Sequence, residues 1–388
     1  MSEPTAATRP TLNHLQGPCI ARAEDIPSLL TLANQVFRPA PRPGDMGKEF
    51  PALLGADNAD DLLIFRDAGR VVSLVGILRQ TLHTGGIDIP VACIGAVCTD
   101  PEYRKAGLAG RLMDLAIRRS IEAGDLLMPI SGKRTLYVSR GATSLGPQIR
   151  LKVPVQPDLP AAADFTVCPC QPADWPRLAA LQAREPVRYG WAHREPRIFD
   201  SLCQLGGICL LACRKNGEPA AALLFTVDHP MYGGKDGVGR VVQFLGDVRA
   251  IPALLSYAAA RCSRIAMDWP VLTTVNPALA QTLLALGATG KPEITRWTVV
   301  ILNLAGLVEK TAPTLARAGL ELSAQAGRLT VAAEGQSITL AQPDLQVELL
   351  FRGAATWSEP LARMPLDLRI ACSAVLPVPL PDYGINYV

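Results

Sequence analysis

The stretch Ile94-Gly95-Ala96-Val97-Cys98-Thr99-Asp100-Pro101-Glu102-Tyr103-Arg104-Lys105-Ala106-Gly107-Leu108-Ala109 decides how the first third of this chain is read. It starts as an apolar strand, breaks at Asp100-Pro101, and enters a helix whose Leu108, Leu112, Leu115 and Ala116 recur at helical spacing. A strand-to-helix turn of this kind leaves the first N–H groups of the helix without intrahelical partners and sets the positive end of its dipole beside them. Gly107 has no side chain to keep an anion away from that backbone, Ala109 has a small one, and Arg104 and Lys105 add positive charge. Residues Arg104, Lys105, Ala106, Gly107, Leu108 and Ala109 therefore read as a pyrophosphate-binding turn.

Working outward, three apolar runs, Leu62 to Phe65, Val71 to Leu78 and Ile87 to Val97, are separated by the turn-like Asp67-Ala68-Gly69-Arg70 and His83-Thr84-Gly85-Gly86. They predict an antiparallel meander whose last strand feeds the phosphate turn. Before it, Ile20 to Pro27 reads as a strand end and a helix start, with Asp25 as N-cap, Pro27 in the first turn, and Leu29, Leu32, Ala33 and Val36 on one face. After the helix, expected from about Gly107 to Ala123, come a short strand at Leu126 to Ile130 and the segment Leu136-Tyr137-Val138-Ser139-Arg140-Gly141-Ala142. The unit is mixed α/β, in the order β-α-β-β-β-α-β.

The chain then starts over. Asp25-Ile26-Pro27-x-Leu29-x-x-Leu32 recurs, offset by 149 positions, as Asp174-Trp175-Pro176-x-Leu178-x-x-Leu181. Leu210 to Gly217 echoes Leu63 to Gly69, and Val241 to Gly246 stands where the phosphate-turn strand stood. There the copy fails: Gly246-Asp247-Val248-Arg249-Ala250 lacks the Arg-x-x-Gly-x-Ala spacing and places an acid where an anion would sit. The second unit is expected to bind no pyrophosphate. Beyond about Ala305, period-two alternation at Leu320 to Ser323, Leu329 to Val331 and Ser337 to Leu340 predicts a small α+β domain, followed by an extended, proline-rich and aromatic tail from Pro377 to Val388. The predicted organisation is 1–155, 156–304 and 305–388.

Composition narrows the function. The 388 residues are 49% hydrophobic and 19% charged with a formal net charge of +3, which points to a folded chain and gives no field for nucleic acid. The ten cysteines form no Cys-x-x-Cys pair and lie mostly in apolar runs, so buried thiols in a reducing compartment are expected, with neither disulfides nor a metal. Residues 1–12 hold no apolar stretch of signal length, and Trp269 to Gly290 is interrupted by Pro270, Asn276, Pro277 and Gln281, so a cytoplasmic chain without a membrane span is expected. Glu102 is expected to face solvent, and the basic pair in Ser131-Gly132-Lys133-Arg134 either to meet a phosphate of the bound anion or, the favoured reading, to face solvent. Asp228-His229 and Tyr189-Gly190-Trp191-x-His193 are possible linings of an acceptor pocket, though a lone loop histidine is usually structural.

On the strength of Asp100 to Ala109 and of Leu136 to Ala142, the first unit, roughly residues 17 to 155, resembles the GNAT superfamily of N-acetyltransferases. The second segment is similar to that superfamily's Phe-Tyr-x-x-x-Gly-Phe, with Ala142 in place of the last Phe. The resemblance implies acetyl-CoA as co-substrate, with the pantetheine arm held by the backbone of Val97, Cys98 and Thr99. It also implies that Tyr137 protonates the departing thiolate. The plan of an active unit, a degenerate copy and a small third domain resembles the enhanced intracellular survival family of aminoglycoside-type acetyltransferases. That likeness implies a sterol-carrier-like third domain, the carboxylate of Val388 as catalytic base, a small-molecule or peptide amine as acceptor, and assembly into a homo-oligomer. A non-catalytic CoA- or lipid-binding scaffold is the competing reading.

Overall fold

The three apolar runs of the meander are the centre of the first sheet. In the computed structural model they are the strands Leu62–Asp67, Arg70–Thr84 and Ile87–Thr99, paired antiparallel in sequence order. Residues 14–381 are described here, apart from 41–43, 146, 158, 160–163, 191–200, 202–206, 228–236, 272–275 and 296. Strand Gln16–Ile20 adds beside Leu62–Asp67, and Leu127–Ile130 pairs in parallel with Ile87–Thr99. Both faces of this sheet are covered. Leu74, Leu78 and Cys93 point into one apolar cluster, and Val75, Ile77 and Ile94 into another packed under the helix Leu108–Glu122. This double burial explains why the long central strands read as unbroken apolar runs.

The repeat is real at the level of turns. Asp25 was expected to cap the helix Ile26–Phe37, but its carboxylate turns back instead, accepting the Arg22 N–H at 2.6 Å and pairing with Arg66. Asp174, ahead of the helix Trp175–Ala183, does the same with the Gln171 N–H at 2.9 Å. The recurring Asp closes a short 3-10 turn that leads into the helix, and the following Pro27 or Pro176 occupies the first helical turn, where no N–H is needed.

The second sheet runs in the order Thr289–Ile294, Pro147–Pro154, Ala266–Val271, Val238–Gly246, Pro219–Thr226, Gly207–Arg214 and Phe165–Pro169. Strand Pro147–Pro154 thus lies in the second unit's sheet, although the sequence assigns it to the first. In return, Thr298–Ile301 inserts into the first sheet between Leu127–Ile130 and Thr143–Ser144. The two units exchange a strand, so a cut at residue 155 separates neither sheet. Arg150 makes two bonds to the Asp268 carboxylate, of 2.7 and 2.6 Å, across the strand it has joined. Such a bidentate pair supplies register specificity that alternation does not.

The third part is an antiparallel sheet of Glu321–Gln325, Arg328–Ala333 and Gln336–Leu340 with helices Leu304–Ala316, Pro343–Phe351 and Leu366–Val375. The three strands fall on the three alternating stretches read from the sequence. Their buried Leu329 and Val331 share one apolar cluster with Leu74 and Leu78 of the first sheet, so this part is packed against the first unit. No helix among the described residues is long and apolar enough to cross a membrane. The run from Trp269 is split into a strand, Ala266–Val271, and a helix, Pro277–Ala285.

Candidate active site

A bulge opens the site. Leu74 pairs with Cys98 but Gly76 pairs with Gly95, so Val75 faces both Ala96 and Val97. Ala96 takes up the extra residue at φ 51°, in the left-handed region that costs a non-glycine residue about 1–2 kcal/mol. The bulged strand then leaves its parallel neighbour: pairing with Leu127–Ile130 is seen at Val91–Leu127 and Ile94–Ile130. Past Ile94 the two strands diverge and a cleft forms between them.

Two adjoining cavities fill this cleft. The inner one, of about 170 Å³, is walled by Phe37, Met46, Phe50 and Leu53 from the helices over the sheet. Ile94 to Val97, Ile130 to Gly132, Arg134 and Tyr137 complete it. The outer one, of about 610 Å³, runs past Val97, Cys98 and Thr99 to Arg104, Lys105, Gly107, Leu108 and Ala109. Phe37, Val97 and Arg134 border both. Of the nine residues expected to hold a cofactor, eight line the outer groove. Ala106 does not; it packs against the cluster under the helix.

The turn at the far end of the groove has the backbone of an anion site. The buried Asp100 accepts the Glu102 N–H at 3.0 Å and binds Arg70, fixing the 3-10 turn Pro101–Tyr103, while the Tyr103 hydroxyl donates to Asp67. After the extended Arg104, Lys105 at φ 64° and Gly107 at φ 76° both take left-handed backbone, and the chain turns sharply into the helix. The helix Leu108–Glu122 has no side-chain cap, and the first bond into it is from the Arg111 N–H to the Gly107 carbonyl at 3.1 Å. The N–H groups from Gly107 to Gly110 consequently have no acceptor among the described residues. A Cβ built at Gly107 would meet nothing within 4 Å, so the space over these donors is open. Lys105 is exposed beside it, and the Arg104 Nε donates to the Thr99 carbonyl at 3.3 Å.

Along the groove the protein offers backbone rather than side chains. The Thr99 hydroxyl is engaged by Ser73 at 2.8 Å, and burial pushes the Cys98 thiol up to about 12, so it stays protonated and is no nucleophile. Val97 turns its side chain into the core under the helix.

Tyr137 stands at the inner end. It lies on the short helix Thr135–Val138 with its ring against the inner cavity, and its hydroxyl makes no hydrogen bond to any described residue. Burial raises the phenol above its ordinary value, a shift the nearby Arg134 partly offsets. The spacing Tyr-x-x-x-Gly has a structural cause: Gly141, at φ 85°, ends the helix so that the Arg140 and Ala142 N–H groups both reach the Tyr137 carbonyl, at 2.9 and 3.1 Å. On the other side a Cβ at Gly132 would sit 3.2 Å from the ring, so that glycine leaves the ring its place.

Arg134 is exposed, as the sequence reading favours, but that reading does not place it on the cleft. The turn after Leu127–Ile130 brings this residue back over the cleft, exposed, and without an ion-pair partner among the described residues. The bulge at Ala96 was also unread, although Gly95, a glycine inside an apolar strand, is a signal for one. Glu102 is exposed as expected. Val388, Trp191, His193, Asp228 and His229 lie outside the described residues. The tail leading to Val388 is tied down as far as Pro381 by the Val378 N–H to Leu350 (2.7 Å), the Thr84 hydroxyl to Pro379 (3.1 Å) and the Tyr189 hydroxyl to Pro381 (2.9 Å).

The second unit repeats the frame of the site without its turn. Asp247 accepts the Arg249 N–H at 3.0 Å as Asp100 does that of Glu102, but Val248–Ala250 runs straight into the helix Ile251–Cys262. Nothing corresponds to Arg104 through Gly107. Hydrogen bonds from Arg249, with help from Arg214, hold the Asp247 carboxyl down at about 2, and Glu185 accepts the Gly246 N–H at 2.7 Å. Carboxylates occupy the place of an anion.

Residues 20–142 match the family described as the GNAT acetyltransferase domain. No curated protein matches the chain in sequence. Among solved structures, a GCN5-related N-acetyltransferase from Anabaena variabilis is 18% identical, with a TM-score of 0.65 over 91% of this chain and 95% of its own. Eis1 from Mycobacterium abscessus is 10% identical, with a TM-score of 0.63 over 94% and 98%. A GCN5-related N-acetyltransferase from Kribbella flavida is 16% identical, with a TM-score of 0.55 over 84% of each chain. The chain therefore carries a GNAT acetyltransferase domain at residues 20–142 and has a fold similar to that of Eis1 along nearly its whole length.

Proposed function

We propose that the protein is an N-acetyltransferase that moves the acetyl group of acetyl-CoA to a primary amine by direct attack in a ternary complex. The observation that carries this reading is the continuity of the cleft: free backbone donors at one end, bare strand backbone along it, and a phenol with no partner among the described residues at the other. The residues fit the donor. The N–H groups of Gly107 to Gly110, with Arg104 and Lys105, suit its pyrophosphate, and Val97 to Thr99 suit its pantetheine arm.

In the transfer, the amine nitrogen bonds to the acetyl carbon, the C–S bond breaks, and the thiolate takes the Tyr137 proton while the amine gives one up. An alkylammonium of pKa about 10.4 holds its lone pair free in only about one molecule in a few thousand at pH 7, a cost of roughly 4–5 kcal/mol that a nearby base lessens. We assign that base to the Val388 carboxylate. Tyr189, which holds Pro381, lies beside Leu82, opposite Ile89. From Ile89 to the bulge at Gly95 is about 20 Å of strand, and the seven residues 382–388 span at most about 25 Å. The reach suffices. The nine described cysteines are free thiols, which supports a cytoplasmic setting.

The test is CoA release from acetyl-CoA with a panel of primary amines. Removal of Tyr387 and Val388 is expected to lower kcat about tenfold or more with calorimetric acetyl-CoA binding unchanged. Unchanged turnover discards the terminal base. Tight acetyl-CoA binding with no turnover of any amine by the intact protein favours the scaffold reading instead.

A further inference from the structure

The inner cavity constrains the acceptor, given its reading as the reaction chamber. Its described walls are apolar at Phe37, Met46, Phe50, Leu53, Ile94 and Ile130, and the charged side chain on them is Arg134. No carboxylate lines it among the described residues. Its volume of about 170 Å³ is also below the roughly 300–1,000 Å³ of sites that enclose drug-sized molecules. A polycationic, multi-ring amine fits neither property: it would bring several ammonium groups to these walls and a guanidinium, losing hydration with only the single carboxylate assigned to the chain terminus in return.

Arg134 supplies the positive half of a different match. Its guanidinium is exposed at the junction of the two cavities and makes no ion pair or hydrogen bond with any described residue. The donor's pyrophosphate already has Arg104, Lys105 and the free N–H groups at the far end of the groove. A planar fork of donors on the inner chamber is the complement of a carboxylate. We propose that the acceptor is a small amine with an apolar body and a carboxylate, the chemistry of an aliphatic α-amino acid. Its carboxylate pairs with Arg134, its side chain lies on the apolar walls, and its amine faces the thioester beside Tyr137.

The test compares L-leucine with isopentylamine, which is leucine without its carboxylate, and with kanamycin, a polycationic aminoglycoside, by CoA release from acetyl-CoA. Calorimetric acetyl-CoA binding and thermal melting are followed in the intact protein and in Arg134→Gln. Leucine is expected to exceed isopentylamine in kcat/KM by about 10- to 100-fold, in line with a charge-assisted pair, and kanamycin to be the poorest of the three. Arg134→Gln is expected to erase the preference for leucine while leaving the melting and acetyl-CoA affinity as they were. The inference is overturned if isopentylamine or kanamycin is preferred, or if Arg134→Gln weakens acetyl-CoA binding and leaves the acceptor preference intact. Turnover of the other amines but not of leucine leaves the acetyltransferase standing and removes only this inference. Turnover of none of the three removes this inference, and removes the acetyltransferase as well if no other amine of the panel is turned over.

Discussion

Tyr137→Phe is expected to cut kcat by about 100-fold or more while leaving acetyl-CoA affinity and thermal stability unchanged. The structure separates these effects because the hydroxyl has no hydrogen bond to lose: removing it leaves no described donor or acceptor orphaned, and the ring keeps its contact beside Gly132. What is lost is the proton. Burial raises the phenol, so it remains protonated throughout the neutral range and its own titration falls above the ordinary value near 10. Turnover should therefore rise with pH as the amine and the base deprotonate, and fall only at the alkaline end, where Tyr137→Phe should show no such fall. A pH–rate profile of both proteins checks it; an identical alkaline limb in the two would remove Tyr137 from proton transfer.

Gly107→Val is expected to weaken acetyl-CoA binding roughly 100-fold or more, about 2.7 kcal/mol, with a fall in Tm limited to the strain of a left-handed valine. Two effects act together. Valine resists φ 76°, so the run of N–H groups from Gly107 to Gly110 loses its common direction, and the new side chain fills the open space over them. Because a Cβ there meets no protein atom within 4 Å, the fold itself is spared a clash. Gly246→Val is the informative contrast. The sequence reads this glycine only as part of a copy that has lost the phosphate turn, and a Cβ on it would lie 2.3 Å from the Ala220 carbonyl oxygen, inside the paired strands. It is a packing glycine, and its replacement is expected to lower Tm by several degrees with acetyl-CoA affinity preserved in the folded protein. Calorimetry and melting of both variants check the pair: loss of binding in folded Gly246→Val would return the second unit to the donor site.

The elements that were legible in the sequence are those governed by neighbours a few residues away. The meander, the helix after Gly107, the break at Asp100-Pro101 and the repeated Asp-x-Pro turns all follow from period, turn chemistry and the absence of an N–H on proline. The same local logic placed eight of nine donor-site residues on one groove and showed that the copy at Gly246 had lost its turn. What escaped depends on partners far along the chain. Asp25 looked like a cap because Arg66 is 41 residues away, and Arg150 gave no sign that its partner would be Asp268 in the other sheet.

By itself, then, the sequence determined the kinds of elements, their order, the duplication, and a strand-to-helix turn with a glycine and two cations at its start, because each rests on the chain's own dihedral and solvation preferences over a few residues. Only the tertiary structure decided that Ala96 bulges, that the two units exchange strands, that Arg134 returns over the cleft and that the tail is held by Thr84 and Tyr189. Local preference leaves these choices open or, at Ala96, opposes the one taken, and the balance is set by which distant surface packs against each.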